Sequence, residues 1–143
     1  MVYTLNLAPT RPGLIEITDR VRGVVSESGM SSGLCTLFLQ HTSASLLIQE
    51  NADPAVCRDL EAWLNRCVTE GDSIFTHTSE GLDDMPAHVK SALLPASLSI
   101  PVSENELMLG TWQGIFLFEH RRLPRERSLL VHLTFDEDPK LSL

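Results

Sequence analysis

Apolar runs of strand length recur along the chain and are separated by short polar breaks. The early runs, over residues 2–7, 34–40 and 45–49, are rich in leucine and in β-branched or aromatic side chains, which favour strands. Later runs of the same character cover residues 73–76, 97–102, 106–109, 115–118 and 127–135. The pattern therefore predicts a domain built mainly from strands.

Two longer segments carry the signals of helices. Thr18 is a candidate N-cap for a helix that places its valines on one face and ends near Gly29. Asp53 as N-cap and Pro54 as first residue predict a second helix that runs to residue 67. Its apolar stripe includes Trp63, which we expect in the core.

A third, short helix is expected to begin at Pro86 and to end before Pro95, because a proline ring cannot continue a helix. Several strands and about three helices without regular alternation predict an α+β fold. We expect a single compact domain over residues 1–143, around one large, mostly antiparallel or mixed sheet. The acidic tail over residues 136–139 is expected to be a frayed terminus.

Composition excludes several classes of function. The net charge of −8 argues against a general nucleic-acid binder, since such binding depends on neutralising phosphates. No apolar run approaches the ~20 residues of a membrane helix, and the N-terminus lacks the features of a secretory signal. The three cysteines form no Cys-x-x-Cys motif and cannot all pair. We therefore expect a cytoplasmic protein with reduced thiols and no membrane or nucleic-acid partner.

Residues 77–88 concentrate the candidate chemistry, with two imidazoles and three carboxylates in one short stretch. Gly81 can take a positive φ and reverse the chain, while Asp83 or Asp84 can cap the helix that follows. Imidazole nitrogens and carboxylate oxygens suit a borderline divalent metal such as zinc, and also acid–base chemistry near neutral pH. A solvated acidic loop whose histidines only form hydrogen bonds is the alternative.

Other polar breaks also lie at the ends of predicted strands. His-Thr-Ser-Ala at residues 41–44 separates two strands, although a plain turn would more often carry Gly, Asn or Pro. Two glycines bracket Thr-Trp-Gln at residues 110–114, and Glu119 ends the next strand. Strand ends on one edge of a sheet can converge, so we expect these breaks and residues 77–88 to form one site. His132, among apolar residues in mid-strand, is expected to be buried and hydrogen-bonded instead.

Taken together, these pieces resemble the YjbQ family, whose members are called secondary thiamine-phosphate synthases. The matching residues run in order along nearly the whole chain: His41-Thr42-Ser43-Ala44, Asn51 and Asp53, His77, Glu80-Gly81, Asp83-Asp84, His88, Lys90, Gly110 to Ile115, and Glu119. His120 and Arg122 fall where the family varies and are assigned no role. The resemblance implies a compact α+β domain with a large sheet, assembled as a homotrimer. It also implies a modest ability to make thiamine phosphate from a pyrimidine pyrophosphate and a thiazole phosphate.

The predicted site combines a metal-binding centre with contacts to a phosphorylated heterocycle. His41, His77 and His88 are predicted as ligands that leave a fourth position open, as in catalytic zinc sites. Magnesium, held by carboxylates and phosphate oxygens, is the alternative cofactor. Catalytic roles are predicted for His41, His77, Glu80, Asp84, His88 and Glu119. Substrate or phosphate contacts are predicted for Thr42, Ser43, Asn51, Asp83, Lys90, Trp112, Gln113 and Arg121.

Three functions fit these residues. The first is a metal-assisted transferase of the thiamine-phosphate synthase type, acting on small phosphorylated heterocycles. The second is a metal-dependent hydrolase that uses the same site to activate water. The third is a non-catalytic, trimeric protein that binds a small anion or metabolite, since the sequence contains no unambiguous pair of nucleophile and base.

Overall fold

The computed structural model describes residues 1–136, which form eight strands and three helices. In chain order these are β1 (Val2–Leu7), β2 (Gly13–Glu16), α1 (Thr18–Ser28), β3 (Ser32–Leu39), β4 (Ala44–Glu50), α2 (Pro54–Cys67), α3 (Asp84–Leu93), β5 (Ser97–Ser103), β6 (Glu106–Leu107), β7 (Gln113–Glu119) and β8 (Arg127–Phe135). The predicted α+β class is confirmed, while the prediction for the tail beyond residue 136 lies outside the described residues. Within residues 1–136 no helix is long and apolar enough to cross a membrane.

The strands are antiparallel, as expected, and are divided between two sheets. Five strands pair in the order β1-β8-β3-β5-β6, and the other three pair in the order β2-β7-β4. The polar segment over residues 40–43 separates β3 from β4. At this segment the chain leaves the first sheet and enters the second, so β4 pairs with β7.

Strand β7 is the centre of the packing because both of its faces are buried. Its Ile115 and Leu117 face the core shared with the five-stranded sheet and α1. The alternate residues Phe116 and Phe118 pack on the other side, in a cluster with Leu64 of α2. The result is a layered domain in which the three-stranded sheet lies between the five-stranded sheet and α2.

The helix ends largely follow the sequence signals. Helix α1 ends at Gly29, which takes the left-handed conformation with φ of 69°. The Asp53 carboxylate accepts a hydrogen bond (2.8 Å) from the backbone N–H of the second residue of α2, which begins at Pro54. Helix α3 ends before Pro95 as predicted.

Two side chains expected in the core are exposed. Helix α2 turns the face that carries Leu64 towards the sheet, so Trp63 points outward with 59% of its surface exposed. On β8 every second residue faces the core, including Val131 and Leu133. His132 therefore lies on the opposite, exposed face. The apolar stripe predicted for α2 is too wide, since the side of Leu64 meets the sheet and Trp63 does not. The His132 prediction counted apolar neighbours without fixing which face of β8 meets the core.

Two local predictions are also wrong. Thr18 is the first residue of α1 and not its N-cap; its hydroxyl donates to Glu16 (2.9 Å) and accepts from the Ile115 N–H (2.9 Å). Residues 73–76 form no strand, because Asp72 accepts hydrogen bonds from two following backbone N–H groups (2.9 and 3.1 Å) and bends the chain.

A buried ion pair joins the two sheets. Glu119 ends β7, Arg127 begins β8, and each side chain is only 1% exposed. The guanidinium donates to both carboxylate oxygens, from Nε (2.7 Å) and from Nη2 (2.5 Å). Arg127 Nη2 also donates to the Ser43 carbonyl (3.2 Å), which ties the loop before β4 to the pair. Such a bidentate geometry compensates both charges in the interior.

We predict that Glu119→Leu and Arg127→Met each lower the free energy of unfolding by about 3–5 kcal/mol, because each leaves the opposite charge buried without its partner. The double variant is expected to lose less than the sum of the two. Urea denaturation measures all three. Arg22→Met, which removes an exposed charge, is the control and should change stability little. Single variants as stable as the wild type would contradict the prediction.

Candidate functional site

Arg121 fixes the chain at the start of α3. Its buried guanidinium donates from Nε to Asp83 (3.0 Å), from Nη1 to Asp84, and from Nη2 to the Glu80 carbonyl (3.0 Å). Asp83 also accepts from the Arg122 N–H (3.0 Å). Asp83 therefore occupies the N-cap position without a capping hydrogen bond from its side chain. Arg121, predicted to contact phosphate, is instead occupied by these groups of the protein.

The pKa values of both aspartates are lowered. Burial by itself raises the pKa of Asp83, but hydrogen bonds from Arg122 and Arg121 and the charge of Arg121 outweigh it. Burial also raises the pKa of Asp84, but the hydrogen bond from His77 and the charges of Arg121 and His88 lower it by more, so the net shift is downward. Both carboxyl groups are therefore ionised at neutral pH.

Two histidines converge on one oxygen of Asp84. His77 Nε2 lies 2.8 Å and His88 Nε2 3.1 Å from Asp84 Oδ2. Asp84 and His88 are four residues apart and share one face of α3. Gly81, with φ of 108°, turns the preceding loop so that His77 returns to this face. The carboxylate is 2% exposed, whereas the two imidazoles are partly open to solvent.

His88 lies between two groups that only accept hydrogen bonds. Its Nδ1 is 2.8 Å from the Thr42 carbonyl, and its Nε2 faces the ionised Asp84. A neutral imidazole carries a single N–H. A neutral His88 can therefore donate to only one of the two acceptors, and a cation beside Nε2 would leave Nδ1 free to donate to the Thr42 carbonyl.

The same three residues form a candidate metal centre. One ligand atom from each of His77, Asp84 and His88 lies within 4.8 Å of the others, and no second such group of His, Cys, Asp or Glu occurs in residues 1–136. Two imidazoles and a carboxylate are a ligand set that zinc accepts. The predicted set differs in one member, since within one chain Asp84 takes the position assigned to His41.

His41 lies nearby but makes a different contact. Its Nε2 accepts a hydrogen bond from the Ser128 N–H (2.7 Å), and burial and the charge of Arg127 lower its pKa. It lines an open cavity of about 410 Å³ together with Thr42, Ser43 and Arg125 among others. The cavity borders the His–Asp cluster because the Thr42 carbonyl binds His88.

Three other predicted residues lie at the same end of the second sheet in different settings. Glu119 is bound to Arg127 and also accepts from the backbone N–H of residue 121 (3.0 Å), so it supports the fold. Glu80 is exposed. Lys90 donates to Asn65 of α2 (2.6 Å) from the face of α3 away from His88.

The expected convergence does not hold for Asn51, Trp112 and Gln113 within one chain. In the second sheet β4 and β7 are antiparallel, with residue 50 opposite 113 at one end and residue 44 opposite 119 at the other. Six residues of strand separate the two ends by ~20 Å. Asn51 binds Glu16 (2.9 Å) and Gln113 binds the residue 110 N–H (2.7 Å), so they organise that far end. Substrate roles for them remain predictions.

Sequence reasoning assigned no role to Arg127, Asn65 or His120. The alternation along β8 could have identified Arg127, because it shares the inward face with Leu129 and Val131 and must therefore have a buried partner. No comparable signal marks Asn65 or His120, since their contacts join residues distant in sequence.

Comparison with known proteins addresses the resemblance directly. Residues 3–136 match the sequence model of the family described as UPF0047 protein YjbQ-like. The chain belongs to the YjbQ family. A UPF0047 protein of Synechocystis sp. is 48% identical over 91% of this chain and 88% of its own length. The YjbQ protein of Escherichia coli O157:H7 is 43% identical over 91% of this chain and 94% of its own length.

Two solved structures share the fold. A YbjQ-like protein from Sulfolobus solfataricus has a TM-score of 0.85 at 28% identity, covering 95% of this chain and 97% of that protein. A conserved hypothetical protein from Thermus thermophilus has a TM-score of 0.83 at 33% identity, covering 92% and 99%. The YjbQ-like α+β fold predicted from the sequence is thus confirmed.

We predict that Asp83→Asn lowers the free energy of unfolding at pH 7 by about 2 kcal/mol, because it removes the charge that Arg121 and the Arg122 N–H bind. The folded-state pKa of Asp83 is depressed, so its contribution is complete above the unfolded-state pKa of about 4 and is lost as pH falls through the folded value. The difference from wild type should therefore shrink below about pH 4. Urea denaturation at several pH values measures it, with the exposed Asp19→Asn as control. A difference independent of pH would contradict the assignment.

Proposed function

We propose that this YjbQ-family protein is a metal-assisted transferase of the thiamine-phosphate synthase type, acting on phosphorylated heterocycles. The observation that carries the proposal is the cluster of His77, Asp84 and His88, with His88 held between two acceptors. The resemblance to secondary thiamine-phosphate synthases supplies the reaction class.

The donor set fits a divalent cation. Both His77 and His88 present Nε2 to the same region, and the Thr42 carbonyl orients the ring of His88 from its other nitrogen. A carbonyl in this position is the usual partner of a metal-bound histidine. When bound, a zinc or magnesium ion would neutralise negative charge on a pyrophosphate leaving group.

The chain's own contribution is to hold the donors in place. Arg121 binds the Asp84 oxygen that does not face the histidines, so this carboxylate keeps its orientation in a nearly dry environment. Asp83 accepts from Nε of the same guanidinium and so helps to hold it beside Asp84. Supporting contacts of this kind keep a site preorganised before substrate arrives.

The cavity lined by His41 is the candidate position for the substrate. It borders the cluster at Thr42, and Arg125 on its wall has no carboxylate within 4.0 Å among residues 1–136. An unpaired guanidinium suits a phosphate group, which it can bind with two parallel hydrogen bonds. The half-exposed ring of Phe38 offers an apolar wall for a heterocycle.

The homotrimer implied by the family resemblance is part of this proposal. Exposed apolar side chains on the outer face of the five-stranded sheet, including Leu34 and Phe38, are compatible with subunit contacts. A neighbouring subunit packed beside Phe38 would cover the open side of the His41 cavity.

A metal-dependent hydrolase is the second candidate. It is favoured by the partly open histidines, which leave solvent access to the donor atoms opposite the buried carboxylate. Water activated at such a position is the reactant in hydrolytic zinc sites. The substrate would then be a phosphate ester or an acyl compound.

We predict that protein purified without added metal or chelator contains a stoichiometric divalent metal, and that His77→Ala and His88→Ala lose most of it because each removes one ligand. Elemental analysis measures the metal. His132→Ala, which removes an exposed histidine from the far sheet, is the matched control and should keep its metal. The same proteins are assayed with the pyrimidine pyrophosphate and the thiazole phosphate, with and without chelator.

Thiamine phosphate formed by the wild type and the His132→Ala control, and lost with chelator or with either ligand variant, is the expected result. Hydrolysis of phosphate esters or acyl substrates without transfer would favour the second candidate. If neither assay shows turnover while a precursor raises the melting temperature, the protein binds the precursor without catalysis and the transferase proposal is refuted.

We also predict that Arg125→Met raises the KM for the phosphate-bearing substrate about tenfold, because it removes a charge-assisted hydrogen bond. The value of kcat should change much less, since Arg125 does not contact the cluster. Steady-state kinetics separate the two parameters. Arg66→Met, an exposed change in the last turn of α2, serves as control. A loss confined to kcat would show that Arg125 does not bind substrate in the way proposed.

A further inference from the structure

A second cavity, of about 440 Å³, lies between α2, α3 and the end of β7, on the side of α3 away from the His–Asp cluster. Residues 88 and 90 are about 200° apart around a helix, so His88 and Lys90 point in nearly opposite directions. Lys90, Asn65, His120 and Arg122 supply polar groups to its wall, and Val68 and Phe118 supply apolar surface. The size is within the range of small-molecule sites.

Each carboxylate on the wall of this cavity already has a cationic partner. Glu119 is bound to Arg127, and Glu70 accepts from Arg122 Nη2 (2.5 Å). The third carboxylate, Glu61, accepts from the Leu14 N–H (2.7 Å) and lies 3.6 Å from Arg11. The wall therefore offers no free negative charge.

Lys90, on the same wall, carries a charge that has no oppositely charged partner within salt-bridge distance among residues 1–136. It is 9% exposed, and its ammonium donates to the neutral amide of Asn65 (2.6 Å) with no carboxylate within 4.0 Å among residues 1–136. An ammonium has three donors, and only one has a partner in the described part of the chain. Burial lowers the pKa of Lys90, and the charges of Glu70 and Asp83 offset this only in part. An anion at the two free donors would therefore stabilise the buried ammonium.

His120 is a second, independent sign of a missing ligand. It is 6% exposed, its Nε2 lies 2.9 Å from the Ser45 hydroxyl, and its Nδ1 is a buried polar atom without a partner. Burial, with the charges of Lys90 and Arg127, lowers the pKa of His120 to about 3, so the ring is neutral. When the Ser45 hydroxyl donates to Nε2, the proton lies on Nδ1 and makes it a donor.

We propose that this cavity is an anion-binding site in which Lys90 Nζ and His120 Nδ1 bind a small oxyanion, the carboxylate or phosphate of a metabolite. The apolar side chains of Val68 and Phe118 suit a short hydrocarbon or ring attached to that group. The site uses none of the cluster residues, and it does not depend on the transferase proposal.

The test is titration of the metal-free, full-length protein with inorganic phosphate and, separately, with acetate, followed by calorimetry and by amide chemical shifts in ¹H–¹⁵N spectra. Saturable binding of at least one probe, with shifts centred on Lys90 and His120, is expected. Phosphate alone, acetate alone or both then identifies the class of oxyanion. Lys90→Met, which keeps the aliphatic stem, should weaken binding about tenfold or more.

His120→Phe keeps the ring packed against Phe118, whose centroid is 4.7 Å away, and removes the proposed donor. It should weaken binding too, and it remains informative if Lys90→Met does not fold. Arg20→Met, on the exposed side of α1, is the control and should bind like the wild type. Absence of saturable shifts at Lys90 and His120 with both probes, or undiminished binding by the folded variants, would overturn the proposal. Neither outcome depends on metal or turnover, so failure here is distinct from failure of the transferase.

Discussion

The arrangement of the candidate site depends on one buried guanidinium. Asp83 and Asp84 are adjacent carboxylates in a nearly dry position, where two like charges would otherwise repel and one would be protonated. Arg121 lies against both and against the Glu80 carbonyl, so the loop before α3 and the first turn of the helix are held by a single side chain. With Asp84 fixed and ionised, His77 and His88 have a common acceptor. The histidine cluster is therefore a consequence of the arginine contact.

That contact is itself positioned by the core. β7 is buried on both faces and ends at Glu119, whose carboxylate forms the ion pair with Arg127 of the other sheet. Glu119 also accepts the Arg121 N–H, so the residue that joins the sheets sets the backbone from which Arg121 reaches α3. Glu119, the polar end of an apolar strand, thus links the packing of the two sheets to the position of Arg121 in the candidate site. Glu119, which was predicted to be catalytic, therefore has its carboxylate oxygens bound to Arg127 and to the Arg121 N–H, and these contacts stabilise the fold.

Local signals predicted several turns, helix ends and strand limits well, although Thr18 and residues 73–76 are exceptions. Gly81 and the spacing of Asp84 and His88 are of this kind, as are Asp53 with Pro54 and the limits of β8. Other predictions placed a side chain on the wrong face of its helix or strand. Trp63 lies beside the buried stripe of α2, and His132 has the wrong parity on β8, so each is exposed although its neighbours are apolar. Residues 110–114, which include Trp112, lie at a strand boundary like the other polar breaks. The antiparallel pairing of β4 and β7 nevertheless places them at the end of the three-stranded sheet opposite to Glu119. Sheet pairing of this kind is not encoded in any single stretch.

Helix α3 separates two opposite electrostatic requirements. On the side of His88, two carboxylates share one guanidinium, which leaves an excess of negative charge next to imidazole nitrogens, an environment that favours a cation. On the side of Lys90, every carboxylate on the cavity wall is paired and a buried ammonium is not, an environment that favours an anion. The two proposed sites therefore lie on opposite sides of one helix and would take ligands of opposite charge. A buried charge without a partner costs several kcal/mol. If both proposals hold, a cation bound on one side of α3 and an anion bound on the other would each also stabilise the fold.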